Sequence, residues 1–325
     1  MTQCFNDSIS PRMSHSIHLV FCGTPQFAVP TLERVVDAGF TVDLAVTQPD
    51  RPRGRGMEMA FSPVKRRALE LGLPVIQPDR IKNNDGFRAQ LSALKPDAII
   101  VVGYGRIIPQ WMMELPPLGN INLHASLLPK YRGGAPIQWA IASGETVTGV
   151  TAIRIDAGLD TGDILLQREI PIAPEDTAET LAPRMAAVGA ELMVETLHGL
   201  KSGTIHPKPQ DDSKATLAPL LKKEDGRMDF RRPATEIANR IRGFQPWPGA
   251  FTTFRGKNLH IWAARQDGPH LEEGELAVKG ERLIVGCGLG TALELLELQP
   301  EGKKRMAARD FMHGHRLSSG ENLGK

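Results

Sequence analysis

The sequence predicts an α/β chain, a doubly wound, mostly parallel sheet followed by a small domain of short strands. Three observations carry that expectation. Strand-like apolar runs alternate with helical patterns through the front half, the arrangement of a parallel sheet with crossover helices. One of those runs, Ala98-Ile99-Ile100-Val101-Val102, shows no polar alternation, as a central parallel strand buried on both faces requires. Past Ser202 the composition turns polar and rich in Gly, Pro and Asp, and short extended segments separated by glycines follow.

Taken in order, Ile17 to Phe21 is a short β-rich run ending at Cys22-Gly23-Thr24-Pro25. A helical pattern follows through Phe27, Val29, Leu32, Val35 and Val36, giving a strand, turn and helix. Val42 to Val46 is a second strand, and a loop rich in Pro, Gly and Arg follows it. Val64 to Leu71 reads as helix, Pro74-Val75-Ile76 as extended, and Phe87 to Leu94 as the helix leading into Ala98 to Val102. The single Gly23 in G-T-P is not G-x-G-x-x-G, so the fold class comes without support for a dinucleotide. Gly203, Pro207, Pro209, Asp211, Asp212 and Ser213 form a breaker-rich stretch, which sets the expected organisation: 1–15 a disordered extension, 16–203 the first domain, 204–219 a linker and 220–325 the second domain. In the last, Ala250 to Phe254, Asn258 to Ala263, Glu275 to Val278, Arg282 to Val285 and Ala292 to Leu298 are strand-like, a spacing that suggests a small barrel or sandwich.

Composition bounds the function. With 325 residues, 41% hydrophobic and 23% charged, the chain has ordinary globular composition and length for two cores. The three cysteines, Cys4, Cys22 and Cys287, form no C-x-x-C pair and no even set, so neither a disulfide framework nor a cysteine zinc site is suggested, and a reducing, cytoplasmic compartment fits. No apolar run approaches the roughly 20 residues of a membrane helix. The N-terminal MTQCFNDSISPRM lacks the apolar centre of a signal peptide, and Met13 is an alternative start. Net charge is only +2, but basic residues exceed acidic ones beyond Pro207 and not before it.

The chemistry concentrates in Gly119 to Pro129, G-N-I-N-L-H-A-S-L-L-P. In extended backbone, residues two apart share a face, so Ile121 and Leu123 are expected in the core while Asn122 and His124 point together into a cleft. An amide that donates and an imidazole that serves as acid, base or donor suit acyl transfer through a tetrahedral intermediate. A hydrogen-bonded core histidine beside a capping asparagine satisfies the same pattern, and N-x-H by itself does not decide. Asp156-Ala157-Gly158-Leu159-Asp160-Thr161-Gly162-Asp163 adds three carboxylates between two apolar runs, where any one of them also serves as a turn former.

N-L-H-A-S-L-L-P, followed 36 positions after His124 by the Asp of G-L-D-T-G-D, resembles the signature of the formyltetrahydrofolate-dependent formyltransferases. The resemblance implies a Rossmann-like first domain in which Asn122, His124 and Asp160 are catalytic, with Ser126, Leu127, Leu128 and Pro129 along the folate. It also implies that Val101 to Pro109 lines the pterin pocket, placing Tyr104, Ile107 and Ile108 there; for the two isoleucines an ordinary core position is the competing expectation. The formyl donor would be 10-formyltetrahydrofolate, with no metal, since the histidines include no H-E-x-x-H and His313-Gly314-His315 has no carboxylate or thiolate cluster beside it.

Family members differ in acceptor: glycinamide ribonucleotide, an aminosugar nucleotide, water, or methionyl-tRNA. Length removes the first, whose enzymes resemble only the front domain. Thr47-Gln48-Pro49-Asp50-Arg51-Pro52-Arg53-Gly54-Arg55-Gly56 resembles the insertion of the branch that acts on initiator methionyl-tRNA, although the acidic Glu58 stands where basic residues are common. Its interleaved Arg51, Arg53 and Arg55 suit a phosphate backbone or an end base. The resemblance extends over Tyr131 to Gln138, Arg242 to Ala250 and Gln299 to Met306, and so over both domains. It implies an OB-like barrel that contacts tRNA, where Lys303, Lys304 and Arg305 suit phosphates. A monomer with no membrane association is expected, and an aminosugar nucleotide is the alternative acceptor.

Overall fold

The computed structural model describes residues 16–53 and 58–324, so the expectations placed on the N-terminal extension and on Arg55 lie outside the described residues. In chain order, the first unit consists of β1 (His18–Gly23), α1 (Val29–Asp37), β2 (Thr41–Val46), β3 (Arg51–Arg53), β4 (Glu58–Ala60), α2 (Pro63–Glu70) and β5 (Val75–Ile76). It continues with α3 (Asp85–Leu94), β6 (Ala98–Val102), α4 (Gln110–Met113), β7 (Asn120–His124), α5 (Pro136–Ala142), β8 (Val147–Arg154), β9 (Ile164–Pro171) and α6 (Ala178–Ser202). Seven of these strands form one sheet in the order β5-β2-β1-β6-β7-β8-β9. Pairing is parallel from β5 to β7 and antiparallel for β7–β8 and β8–β9.

Strand alternation divides the core into two layers. Leu19 and Phe21 of β1 and Ala98, Ile100 and Val102 of β6 face the layer built with α1, α5 and α6. Their neighbours Val20, Cys22, Ile99 and Val101 face the layer with Phe87 and Leu91 of α3 and Met112 of α4. Every residue of β6 is buried, as its unbroken apolar run predicts. The chain turns from β1 to β2 on one side of the sheet and reaches β6 on the other, and at such a switch point a crevice opens past the carboxyl ends of the strands. The long helix α6 starts at a Thr177–Thr180 capping box and stops where Gly203 takes φ +71°.

The second unit contains α7 (Ala234–Gly243), β10 (Ala250–Phe254), β11 (Lys257–Gln266), β12 (Leu276–Lys279), β13 (Arg282–Cys287), β14 (Thr291–Pro300), β15 (Met306–Ala307) and α8 (Ala308–His315). Its antiparallel sheet runs β10-β11-β14-β13-β12, with β15 added to β14. Register shifts between Ile261 and Ala264 bend β11, the device by which a sheet curls into a barrel-like form. Leu259, Ile261, Leu283, Val285, Leu293 and Leu295 fill it, closed by Ile237 and Ile241 of α7 and Phe311 of α8. All five strands foreseen in the sequence are present; α7 and α8 are additional, short amphipathic helices whose caps carry no side-chain signal.

The units meet through α5 and α7. Gly243 packs so closely that an added Cβ would lie 2.7 Å from the Gln138 carbonyl, and Trp139 meets Phe244 edge-on at 5.4 Å while its indole N–H donates to the Pro219 carbonyl at 2.8 Å. The R-G-F-Q-P-W-P-G stretch therefore begins at this interface. Among the described residues no helix is long and apolar enough to cross a membrane.

Candidate active site

β7 delivers the site by simple alternation. Ile121 and Leu123 are buried in the α1, α5 and α6 layer, and Asn122 and His124 take the opposite face. Asn122 lies beside Val101 in the parallel register, at the end where β6 stops. His124 is 6% exposed. Its Nε2 lies 2.9 Å from the Tyr131 carbonyl, which can only accept, so Nε2 carries the proton. Nδ1 then faces the Asp160 carboxylate, Oδ2 at 3.6 Å.

Asp160 meets the other two from the β8–β9 connection. Its Oδ1 accepts from the Asn122 amide at 3.3 Å and its Oδ2 from the Gly133 N–H at 2.9 Å. Its backbone is left-handed, φ +53°, a conformation costing roughly 1–2 kcal/mol outside glycine. Such a residue persists only where its surroundings fix it. Asp156 closes the same loop, accepting from the Gly158 N–H at 3.0 Å and the Thr161 hydroxyl at 2.7 Å. Gly162 leaves no room for a side chain, since an added Cβ would sit 1.7 Å from the Arg154 carbonyl. Of the three carboxylates in the loop, Asp160 is thus the one turned to Asn122 and His124, and Asp156 is the turn former.

The next segment is held from behind. Thr151 donates to the Ser126 carbonyl at 2.6 Å and accepts from the Leu128 N–H at 3.2 Å, while Gln167 donates to the Leu128 carbonyl at 2.8 Å. The Ser126 hydroxyl closes the turn on the Lys130 carbonyl at 2.6 Å. Ser126 and Leu128 are buried; Leu127 and Pro129 are half-buried. Tyr131 donates to Glu145 at 2.9 Å, and burial pushes its phenol up to about 12, so it stays a neutral donor.

The 104–108 segment divides by side. Tyr104 and Ile108 are buried against Phe87 and Met112, whereas Ile107 is 91% exposed, because successive residues of an extended loop face opposite ways. The Tyr104 hydroxyl is buried without a partner among the described residues. Gln48, at the root of the arginine loop, donates to the Tyr104 carbonyl at 2.8 Å and so ties that loop to this segment. The root itself is a polar knot in which Lys65 contacts both Asp50 and Gln77, and the Lys65 ammonium holds the Asp50 carboxyl below the usual carboxylate range. Arg51 is exposed on the short β3–β4 hairpin, where Arg53 pairs its backbone with Glu58.

Lys303, Lys304 and Arg305 are exposed on the turn between β14 and β15, on the second unit. Arg305 lies over the Trp262 ring at 3.5 Å, and His260 stacks on the same indole, ring centroids 5.7 Å apart. Burial and the Arg305 cation push His260 down, which keeps its ring neutral in the stack. Sequence reasoning missed Thr151, Gln167 and Gln210, the last of which donates to the Asp160 carbonyl at 2.8 Å from 50 residues away. No linear motif marks such a pairing.

Comparisons with known proteins identify the family. The formyl transferase family matches residues 17–197, and the formyl transferase C-terminal domain matches residues 220–316. A methionyl-tRNA formyltransferase of Koribacter versatilis is 69% identical over 94% of this chain and 98% of its own length. One from Acidobacterium capsulatum is 61% identical over 94% and 99%. An N-formyltransferase from Helicobacter canadensis, solved with folinic acid and dTDP-3-aminofucose, shares the fold at a TM-score of 0.65 and 21% identity, covering 87% of this chain and 99% of that one. With both family domains in order and such identity over nearly the whole length, the chain belongs to the formyl transferase family and, within it, to the methionyl-tRNA formyltransferases.

Proposed function

We infer that the chain transfers the formyl group of 10-formyltetrahydrofolate to the amino group of methionine on initiator methionyl-tRNA, giving N-formylmethionyl-tRNA. The observation that carries this reading is the convergence of Asn122, His124 and Asp160 at the carboxyl end of β7. Asn122 and His124 donate to the oxygen of the formyl group as the neutral methionyl amine attacks its carbon and a tetrahedral oxyanion forms. Nδ1 of His124 is free of the Tyr131 carbonyl and faces the Asp160 carboxylate, which places it toward the reacting group. Asp160 accepts the proton released by the attacking nitrogen, directly or through water, and N10 of the folate leaves with a proton. Ser126 to Pro129 and the Tyr104 to Ile108 segment border the folate; the buried positions act through backbone and shape, and Leu127, Pro129 and the exposed Ile107 offer apolar contact. The enzyme works in the cytoplasm as a monomer, its domains joined through 204–219.

The tRNA would be met by Arg51, Arg53 and Arg55 of the loop and by Lys303, Lys304 and Arg305 of the second domain. Phosphate contacts release counterions, so tRNA affinity is expected to fall steeply with salt while folate affinity hardly changes. Arg55→Ala is expected to impair formylation and blunt discrimination between initiator and elongator tRNA, because a loop that orders around the acceptor end reads it. Lys303→Ala is expected to weaken all tRNAs alike and to reduce the salt slope by about 1. Titrating both tRNAs at several salt concentrations with parent and variant proteins checks these outcomes. Parent binding that is weak and insensitive to salt would favour the aminosugar nucleotide instead.

A further inference from the structure

Gln210 lies in the segment between the two family domains, yet its side chain reaches the loop that carries Asp160. Its amide nitrogen donates to the Asp160 carbonyl at 2.8 Å and to the Gly162 carbonyl at 2.7 Å, using both of its protons. Its amide oxygen accepts twice from the Arg132 guanidinium, from Nε at 3.1 Å and from the second terminal nitrogen at 2.8 Å. The opposite amide orientation would set an oxygen against two carbonyls and an NH2 against a guanidinium, so the chemistry of the partners fixes the group one way round.

Arg132 is itself 7% exposed and is held at both its backbone and its guanidinium. Its guanidinium also meets Asp212 at 2.7 Å, its N–H donates to the Thr216 carbonyl at 2.8 Å, and its carbonyl accepts from the Ala218 N–H at 2.7 Å. The next residue, Gly133, donates its N–H to the Asp160 carboxylate. Asp160 is therefore gripped from two sides by one assembly, its carboxylate by Gly133 and its left-handed backbone by Gln210.

We propose that Gln210, oriented by Arg132, is a positioning residue that holds the Asp160 carboxylate in its reacting place, making the connecting segment a working part of the active site. This rests on the reading of Asp160 as catalytic. The effect falls on the rate of the chemical step rather than on substrate binding, because Gln210 touches the loop backbone and not Asn122 or His124.

The test is a double-mutant cycle in single-turnover formyl transfer, using the full chain with 10-formyltetrahydrofolate and methionyl-tRNA. Gln210→Ala is expected to slow the chemical step about 10-fold with both substrate affinities within about twofold of the parent. Arg132→Lys, which keeps the charge and removes the paired donation, is expected to slow it in the same direction. In an Asp160→Asn background, Gln210→Ala should add little further loss, since its action runs through that carboxylate. Multiplying losses in the double variant, or a Gln210→Ala rate within twofold of the parent while Asp160→Asn is inactive, would overturn the positioning role alone. An active Asp160→Asn protein would overturn the catalytic reading, and the positioning role with it.

Discussion

His124→Ala is expected to lower the single-turnover rate of formyl transfer by about 100-fold or more, about 3 kcal/mol of transition-state stabilisation, with a modest loss of folate affinity. The size follows from the geometry. The ring is buried, its Nε2 is committed to the Tyr131 carbonyl, and only Nδ1 is left to serve the oxygen that becomes charged. A donor fixed in a site shielded from water stabilises developing charge far more than the same donor in solution. Asn122→Ala should behave alike. The check is a single-turnover assay on folded variants, with folate binding measured separately; rates within a few-fold of the parent would remove both residues from the catalytic set.

Asp160→Asn carries the second large effect, expected to be of the same order on the rate. The change keeps the size of the side chain and removes the charge, so the loop bonds from Gln210 to the Asp160 backbone survive. What disappears is the acceptor for the amine proton and the anion facing Nδ1 of His124. The expected result is a slow enzyme that still binds both substrates, read from the same single-turnover assay with separate binding titrations. A variant that instead loses substrate affinity at an undiminished rate would mark Asp160 as a binding group.

The parts legible in the sequence are those governed by local periodicity. The unbroken apolar run of β6 announced a strand buried on both faces, and the two-residue alternation of β7 placed Asn122 and His124 on one side. Five of the six strands of the second domain followed from glycine-punctuated apolar segments. The antiparallel turn of the sheet at β8 and β9 was not foreseen, because strand direction depends on how the chain returns and not on the pattern within a strand. Helices α7 and α8 went unmarked because neither carries a capping side chain. The linker between the domains also docks on the first domain through Gln210, Thr216 and Ala218, which no composition signal distinguishes from a loose tether. Ile107 and Ile108 were expected either at the pterin pocket or in the core; Ile107 is exposed and Ile108 is buried, a split set by backbone direction within the loop.

Transfer of labelled formyl from 10-formyltetrahydrofolate by the purified protein, offered methionyl-tRNA and an aminosugar nucleotide in parallel, tests the function most directly. Label is expected on the amino group of the methionine esterified to initiator tRNA, more slowly on elongator methionyl-tRNA, and not on the sugar. Label on the aminosugar with none on methionyl-tRNA would contradict the assignment of the acceptor.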